Sequence, residues 1–329
     1  MKKLLLLFLL GAGFILAQPK YSEQGPGAFS RMGFGARGIG MGNAMSAVTE
    51  GNLAAYYNPA VSVFQLDNSF QTSYSFLSMD RSLNFLNYTR RFEFYSVKDT
   101  AENRKPRSTA GLSVGIINAG VSNITEYDNS GAKSGEVSTS ENMAFLGLAN
   151  RFSEKISIGI TVKFFYYKLY EDVSSTGFGI DLGGLYMLSD HWNISLMFSN
   201  INSKYKWDTG TIYEQSGSNY EEKFPVSKKV GTSYTNASLG LIASAEFESY
   251  NKDLNIARFG IEYNIYENLF LRGGIDQWNL SNSDYPVKPA AGFSYAKYFG
   301  SLKIGVDYAF MVEQYSSQDR HIVGLSFQF

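Results

Sequence analysis

The sequence predicts an all-β protein: a transmembrane antiparallel β-barrel of about fourteen strands with an N-terminal hatch inside it. Three observations predict this. From about residue 68 to the C-terminus, apolar and polar residues alternate with period two in blocks of roughly ten residues. The chain opens on two lysines followed by a short apolar run, the pattern of an export signal. The composition, with 25 Phe, 23 Tyr and 32 Gly against 7 Pro and only 18% charged residues, suits pleated sheet better than helix.

The leader comes first. Lys2 and Lys3 precede the apolar stretch 4–17, which is too short to span a bilayer as a helix and is read as a signal peptide cleaved after Ala17. No later run is long and apolar enough for a transmembrane helix. The expected organisation is therefore 1–17 signal, 18–66 hatch and 67–329 barrel. Residues 20–62 are dominated by small side chains and lack alternation, so their backbone can pack closely against a wall.

The strand blocks follow, at about 68–78, 82–95, 107–117, 140–151, 155–168, 176–187, 191–200, 226–235, 238–248, 254–264, 268–277, 289–298, 300–311 and 320–329. In the fifth, Ile156, Ile158, Ile160, Val162 and Phe164 alternate with Ser157, Gly159, Thr161, Lys163 and Phe165. A soluble sandwich would alternate too. A polar face rich in Gly, Ser and charge, with aromatics gathered at strand ends, suits a barrel between lipid and lumen. Tyr166, Tyr167 and Tyr170 at one end, and Tyr186 and Trp192 at the other, are read as interfacial girdles. Connections after even strands are tight, and those at 118–139, 201–225, 278–288 and 312–319 are long, as in bacterial outer-membrane barrels. The 96–106 connection is an exception, a long loop on the short-turn side.

Several function classes are excluded. With 29 Lys+Arg against 30 Asp+Glu there is no positive excess to neutralise phosphates, so nucleic acid is not an expected partner. The absence of Cys rules out a disulfide scaffold, a thiolate metal site and a lipid-anchored N-terminal Cys. Neither metal nor cofactor is expected. Gly33-Phe34-Gly35-Ala36-Arg37-Gly38 matches a dinucleotide-binding spacing, but no buried strand precedes it and no acidic residue closes a second strand, so it is read as close packing. A serine hydrolase needs a Ser–His pair. His321 shares parity with Val323 and Leu325 and so faces outward, and His191 falls in a turn, so no enzyme is expected.

Two further groups carry expectations. Lys163, Asp181, Glu246, Arg258, Glu262, Arg272, Asp276, Lys303 and Asp307 fall on lumen faces, where they are read as a neutralising network in a filled barrel rather than an ion path. A turn at 266–268, with Asn268 left-handed, sets Glu262 opposite Arg272 and Arg258 opposite Asp276. Val323, Leu325, Phe327 and the terminal Phe329 alternate as a last strand of the kind that barrel assembly machinery recognises.

The run Gly35-Ala36-Arg37-Gly38-Ile39-Gly40-Met41-Gly42-Asn43-Ala44, then Ala47-Val48-Thr49, then Asn58-Pro59-Ala60, resembles the N-terminal region of the PorV/PorQ family. Those are outer-membrane barrels distantly similar to the long-chain fatty acid transporter FadL. Weaker similarity recurs at Asp181-Leu182-Gly183, Phe224-Pro225-Val226, Leu271-Arg272-Gly273-Gly274 and Val306-Asp307-Tyr308. The resemblance implies a fourteen-stranded barrel with the Asn-Pro-Ala triplet in its hatch. It implies as the first expectation a component of, or accessory to, type IX-like protein secretion and surface attachment with secreted proteins as cargo, and as the alternative passive transport of hydrophobic small molecules. The expected surroundings are outer-membrane lipid and, during biogenesis, the assembly machinery.

Overall fold

The structure, a computed structural model, describes residues 25–79, 81–95, 106–170, 173–210, 217–250 and 254–329. The expected leader lies outside the described residues, as does nearly all of the 96–106 connection. The strands run β1 (Ser69–Phe76), β2 (Arg81–Phe94), β3 (Ser108–Tyr127), β4 (Lys133–Arg151), β5 (Ile156–Tyr170), β6 (Val173–Met187) and β7 (Trp192–Ile201). A small hairpin of β8 (Lys204–Asp208) and β9 (Asn219–Lys223) follows. Then come β10 (Ser227–Asn236), β11 (Leu241–Tyr250), β12 (Leu254–Tyr266), β13 (Leu269–Asn279), β14 (Lys288–Phe299), β15 (Leu302–Met311) and β16 (Arg320–Gln328). All but β8 and β9 form one closed antiparallel barrel of fourteen strands.

β1 pairs with β16 from Ser69 opposite Gln328 to Phe76 opposite His321, which closes the seam. Beyond it Asn68 and Phe329 exchange backbone hydrogen bonds of 3.0 and 3.1 Å. Closure satisfies the edge groups that a lipid environment would leave unpaired. Parity then sorts the side chains. On β5, Ile158, Ile160, Val162 and Phe164 are exposed on the outer wall, and Ser157, Thr161, Lys163 and Phe165 are buried within. Tyr166 and Tyr170, and at the opposite end Tyr186 and Trp192, are likewise exposed. Tyr167 is a correction to the girdle: it follows Tyr166 directly, so it points inward and meets Trp207 at 5.2 Å.

The connections bring further corrections. The expected loop 118–139 is mostly strand, because β3 and β4 stay paired up to Tyr127 opposite Lys133. This extension has water on both faces, so it carries no apolar period to read. Asp128 closes its tip by accepting from the Ser130 hydroxyl and the Ser130 and Ala132 N–H groups, at 2.6, 2.8 and 2.9 Å. Those bonds, the hydroxyl's first, hold its carboxyl below the ordinary carboxylate range. The 201–225 connection folds inward: β8 lies against β6, with the Ser175 hydroxyl donating to Lys206 O and accepting from Lys206 N–H. At the β12–β13 turn a bulge removes Ile265 from the ladder and leaves a two-residue loop. Glu267, with φ 41°, rather than Asn268, takes the left-handed position.

Two more bulges kink the wall, and each sits at an inward carboxylate. On β7 two residues oppose Asp181, and the released Asn200 N–H donates to Asp181 at 2.9 Å. On β13 two residues oppose Arg258, and the Gln277 N–H donates to Asp276 at 2.8 Å. The carboxylate replaces the ladder partner that the bulge takes away.

Candidate functional site

The lumen is filled by residues 25–66, which run its length from one end to the other. At the end that carries the longer connections, Gly27 packs under the Phe224 ring and Arg320 donates to Met32 O at 2.6 Å. At the end where β1 begins and β16 finishes, Ser69 donates to Asn52 Oδ1 at 3.1 Å and Ser157 donates to Ala60 O at 2.9 Å.

Small residues make this fit. Helix α1 (Gly35–Gly40) follows the extended Phe34, and Ala36, Met41 and Ala44 behind it are buried. Gly42, with φ 58°, meets Gly274 of β13 backbone to backbone: a Cβ on Gly274 would lie 2.2 Å from Gly42 N. A Cβ on Gly38 would lie 2.0 Å from the Tyr57 hydroxyl and one on Gly40 3.4 Å from the Gly292 Cα. The Gly33–Gly38 motif is thus used for packing. Asn58 caps the 3-10 turn Pro59–Phe64 by accepting from Ala60 N–H at 2.9 Å, and its amide donates to Ser46 O at 2.8 Å and Gly184 O at 3.3 Å. Pro59 suits the first position of that turn, where no N–H is needed.

The lumen wall is divided. On β1–β4 the inward residues include hydroxylic, small and apolar side chains and the amides of Gln71 and Asn87, and Phe34 packs there, 4.7 Å from the Phe85 ring and 6.0 Å from that of Phe145. From β5 round to β15 the wall carries four charge clusters. Lys163 meets Asp181 at 2.6 Å. Lys229 lies 3.3 Å from Glu246, which also accepts the Ser46 N–H at 2.7 Å. Arg258 pairs with Glu248 and, at 2.6 Å, with Asp276, which in turn accepts from Asn43 of the N-terminal segment at 2.8 Å.

The fourth cluster ties the segment to the wall. Arg37 of α1 donates Nε–H and Nη2–H to the two oxygens of Glu262, each at 2.8 Å. Its remaining nitrogen donates to Glu50 O and Asn52 O at 2.7 and 3.2 Å. Glu262, directly opposite Arg272 in the ladder, also accepts from it at 2.5 Å. Arg272 reaches on to Asp307 at 3.6 Å and bonds the Ser294 hydroxyl, which itself donates to Asp307. Arg37 therefore joins the charge network as well as the small-residue run. A planar fork against a carboxylate is the geometry that fixes orientation as well as charge.

Lys303 stands apart from these clusters. It is half-buried at the termini end and stacks over the Tyr298 ring at 5.2 Å, because Tyr298 rather than a carboxylate is its ladder partner. Lys229, Glu248 and Arg320 are lumen charges outside the nine expected ones, although each has the parity of inward neighbours, as Glu248 shares that of Glu246. Val323 and Leu325 are exposed on the outer wall, and the Phe329 side chain is exposed at its rim. His321 is outside too, 2.7 Å from the Tyr308 hydroxyl, and His191 contacts Thr235 O in a turn at 2.8 Å.

Above the segment, at the end of the longer connections, lies a cavity of about 480 Å³. Met32 is in its floor, and its sides include Tyr250, Leu254, Tyr285, Pro286 and Tyr315. The Tyr315 hydroxyl donates to Asp284 O at 3.0 Å and so joins the β13–β14 and β15–β16 connections across the rim. A second cavity of about 250 Å³ opens at the termini end beside Arg37, Glu50, Arg272 and Lys303.

No family model matches the chain and no curated protein matches it. Solved structures do. The toluene transporter TodX of Pseudomonas putida is 14% identical, with a TM-score of 0.57 over 90% of this chain and 96% of its own. A TodX deltaS2S3 mutant, a monoaromatic hydrocarbon channel, is also 14% identical, with a TM-score of 0.60 over 90% of this chain and 98% of its own. A FadL homologue of Pseudomonas aeruginosa is 10% identical, with a TM-score of 0.53 over 90% and 98% of the two chains. At such identities the likeness is one of fold: the chain has the architecture of the FadL-like fourteen-stranded outer-membrane barrels.

Proposed function

We propose that this protein lies in the outer membrane and lets small hydrophobic molecules pass through it, entering at the cavity above the N-terminal segment. That cavity is the observation that carries the reading. Its volume of about 480 Å³ falls within the range of small-molecule sites, and its lining sets Met32, Leu254, Pro286 and three tyrosine rings beside charged side chains that include Arg31, Arg258, Lys288 and Glu313. The filled lumen argues in the same direction, since a segment packed against every wall leaves no wide aqueous path of the porin kind. The apolar outer wall supports the location. The description of one structural neighbour as a toluene transporter supports the substrate class.

The test is uptake by intact cells lacking the chromosomal copy, complemented with the parent or with Leu254→Arg. Leu254 lines the cavity, and a guanidinium there opposes an apolar solute. Faster initial uptake of a radiolabelled monoaromatic hydrocarbon with the parent, reduced in the variant, is the expected outcome. Equal uptake in the deletion strain and the complemented strains contradicts the reading.

A second reading, the secretion and surface-attachment role, is supported by the resemblance of the N-terminal run and by the projecting β3–β4 hairpin, where Tyr127 is exposed. Removing 124–137 while leaving the barrel intact separates the two. Altered surface proteins with unchanged hydrocarbon uptake favours secretion, and the reverse favours transport.

A further inference from the structure

Three asparagines stand side by side on the outer wall, facing away from the lumen. Asn84 of β2 is the ladder partner of Asn118 of β3, and Asn118 is the ladder partner of Asn142 of β4. They share the parity of Leu86, Ile116 and Leu146, which are exposed on that wall. Their amides form a chain that runs one way. Asn84 donates to Asn118 Oδ1 at 3.2 Å, Asn118 to Asn142 Oδ1 at 2.6 Å, and Asn142 to the Ser140 hydroxyl oxygen at 2.9 Å. A tyrosine flanks each end of the row, Tyr74 opposite Asn84 and Tyr166 opposite Asn142, and both rings are exposed.

The neighbouring rows fix the depth. Towards the termini end the adjacent outward residues are Thr72, Leu86, Ile116, Ala144 and Phe164, so the wall there is mostly apolar. Towards the longer connections they are Phe76, Ser82, Gly120, Ser140 and Lys168. The asparagines thus stand where the apolar band gives way, at the level of the Tyr166 girdle. An amide deep in hydrocarbon is costly, and one among headgroups is not. Gly120 leaves a recess beside Asn118: a Cβ there would meet Thr139 O at 3.0 Å and otherwise only the Ser140 Cα within 4 Å. Continued the other way round the barrel, the same rows read Val323 and Tyr308, then His321 and Phe310, so the amides are confined to β2–β4.

We infer that this patch holds the sugar headgroup of a membrane lipid, whose chains lie on the apolar wall beside it. Sugar hydroxyls both donate and accept, and a carboxamide does the same. The chain of bonds leaves the Asn84 carbonyl oxygen as an acceptor at one end and the Ser140 hydroxyl hydrogen as a donor at the other. The flanking tyrosines offer ring faces to the apolar face of a sugar, with a hydroxyl at the wet end. The lipid-facing wall runs directly into the patch, so one lipid molecule can meet both surfaces at once. Of the reading proposed above the inference takes only the membrane; hydrocarbon uptake has no part in it.

The test is lipid retention by the full chain folded into phosphatidylcholine vesicles that contain a minor share of digalactosyldiacylglycerol, read by native mass spectrometry of the released protein. The variants are Asn118→Leu and Asn142→Leu, with Phe293→Leu on the β14 outer wall as control. All three positions face outward, so an apolar side chain there keeps the fold, which gel mobility verifies. The parent should retain the sugar lipid over phosphatidylcholine by about tenfold relative to their shares in the vesicle, the effect of one or two neutral hydrogen bonds. Asn118→Leu and Asn142→Leu should lose that preference, and Phe293→Leu should keep it. No preference in the parent, a preference that survives in folded Asn118→Leu, or one lost equally in Phe293→Leu overturns the inference. A dimer that Asn118→Leu dissociates, without sugar-lipid preference, assigns the row to a second copy of the chain and also overturns it. If the parent does not insert into the vesicles at all, the membrane reading has failed and the inference falls with it, whereas absent hydrocarbon uptake leaves it standing.

Discussion

Glu262→Ala is expected to destabilise the protein more than Arg37→Ala and Glu262→Ala together. Glu262 neutralises two guanidiniums at once, Arg37 from the N-terminal segment and Arg272 from β13. All three side chains are almost fully buried. Removing the carboxylate leaves two cations against Asp307 alone, 3.6 Å from Arg272. Stripping one partner from a buried pair costs roughly 3–5 kcal/mol, because the charge left behind has no water to turn to. The double variant leaves Arg272 with Asp307 and Ser294, a neutral set, so it should recover about 1–3 kcal/mol relative to Glu262→Ala. Removing Arg272 with Glu262 should not recover as much, since Arg37 is then left buried without its carboxylate. Two-residue logic on the wall alone gives the opposite expectation, and the difference comes from the third partner in the lumen. Urea unfolding in lipid vesicles, followed by the gel-mobility difference between folded and unfolded barrel, measures the parent, the two single variants and both double variants. If the double variant loses as much as the two single losses summed, the charges are not coupled and the reasoning fails.

Asn58→Ala removes a cap and leaves Ser46 O and Ala60 N–H buried without that partner, so a loss of about 2–4 kcal/mol is expected in the same unfolding assay, and a loss under about 1 kcal/mol contradicts it. Gly274→Val places a side chain into the backbone of Gly42, so the segment should be pushed off the wall and single-channel conductance in planar bilayers should rise while the barrel persists; unchanged conductance counts against close packing at this crossing. Removing 124–137 should leave folded gel mobility and unfolding midpoint nearly unchanged, because the hairpin extension lies beyond the β4–β5 ladder and meets β5 through an exposed hydrogen bond from the Tyr170 hydroxyl to Glu126; a large loss of stability would show that it braces the barrel.

Much of the wall is legible in the sequence, and the reason is parity. A strand between lipid and lumen must alternate, so Ile158 to Phe164 against Ser157 to Phe165 reads directly, and the facing of Glu262 and Arg272 follows from it. Legibility fails where one of the two environments is missing. The far parts of β3 and β4 have water on both sides, so they read as loop. The inward fold of the β8–β9 connection depends on Tyr205, Trp207 and Phe224 finding Phe165 and Tyr167 across the lumen, contacts that no local period encodes. Lys229 and Glu248 could have been found, because they continue the inward parity of Gly231 and Glu246. Arg37 could not: it stands in a glycine-rich run without a period, 225 residues from its carboxylate.

The central claim is that the N-terminal segment lies inside a closed barrel and is fixed to its wall. Ser46 of the segment and Ser195 of β7 test it most directly, since their hydroxyl oxygens are 2.9 Å apart and both side chains are buried. Sulfur replaces oxygen at both positions in Ser46→Cys combined with Ser195→Cys, in a chain with no other thiol. Mild oxidation of the folded protein should join the two within one chain, read as loss of free thiol and as a changed mobility of the denatured protein that reductant reverses. The single variants should show neither. Failure of the folded double variant to form the bond, while both thiols remain reactive once it is unfolded, would contradict the account.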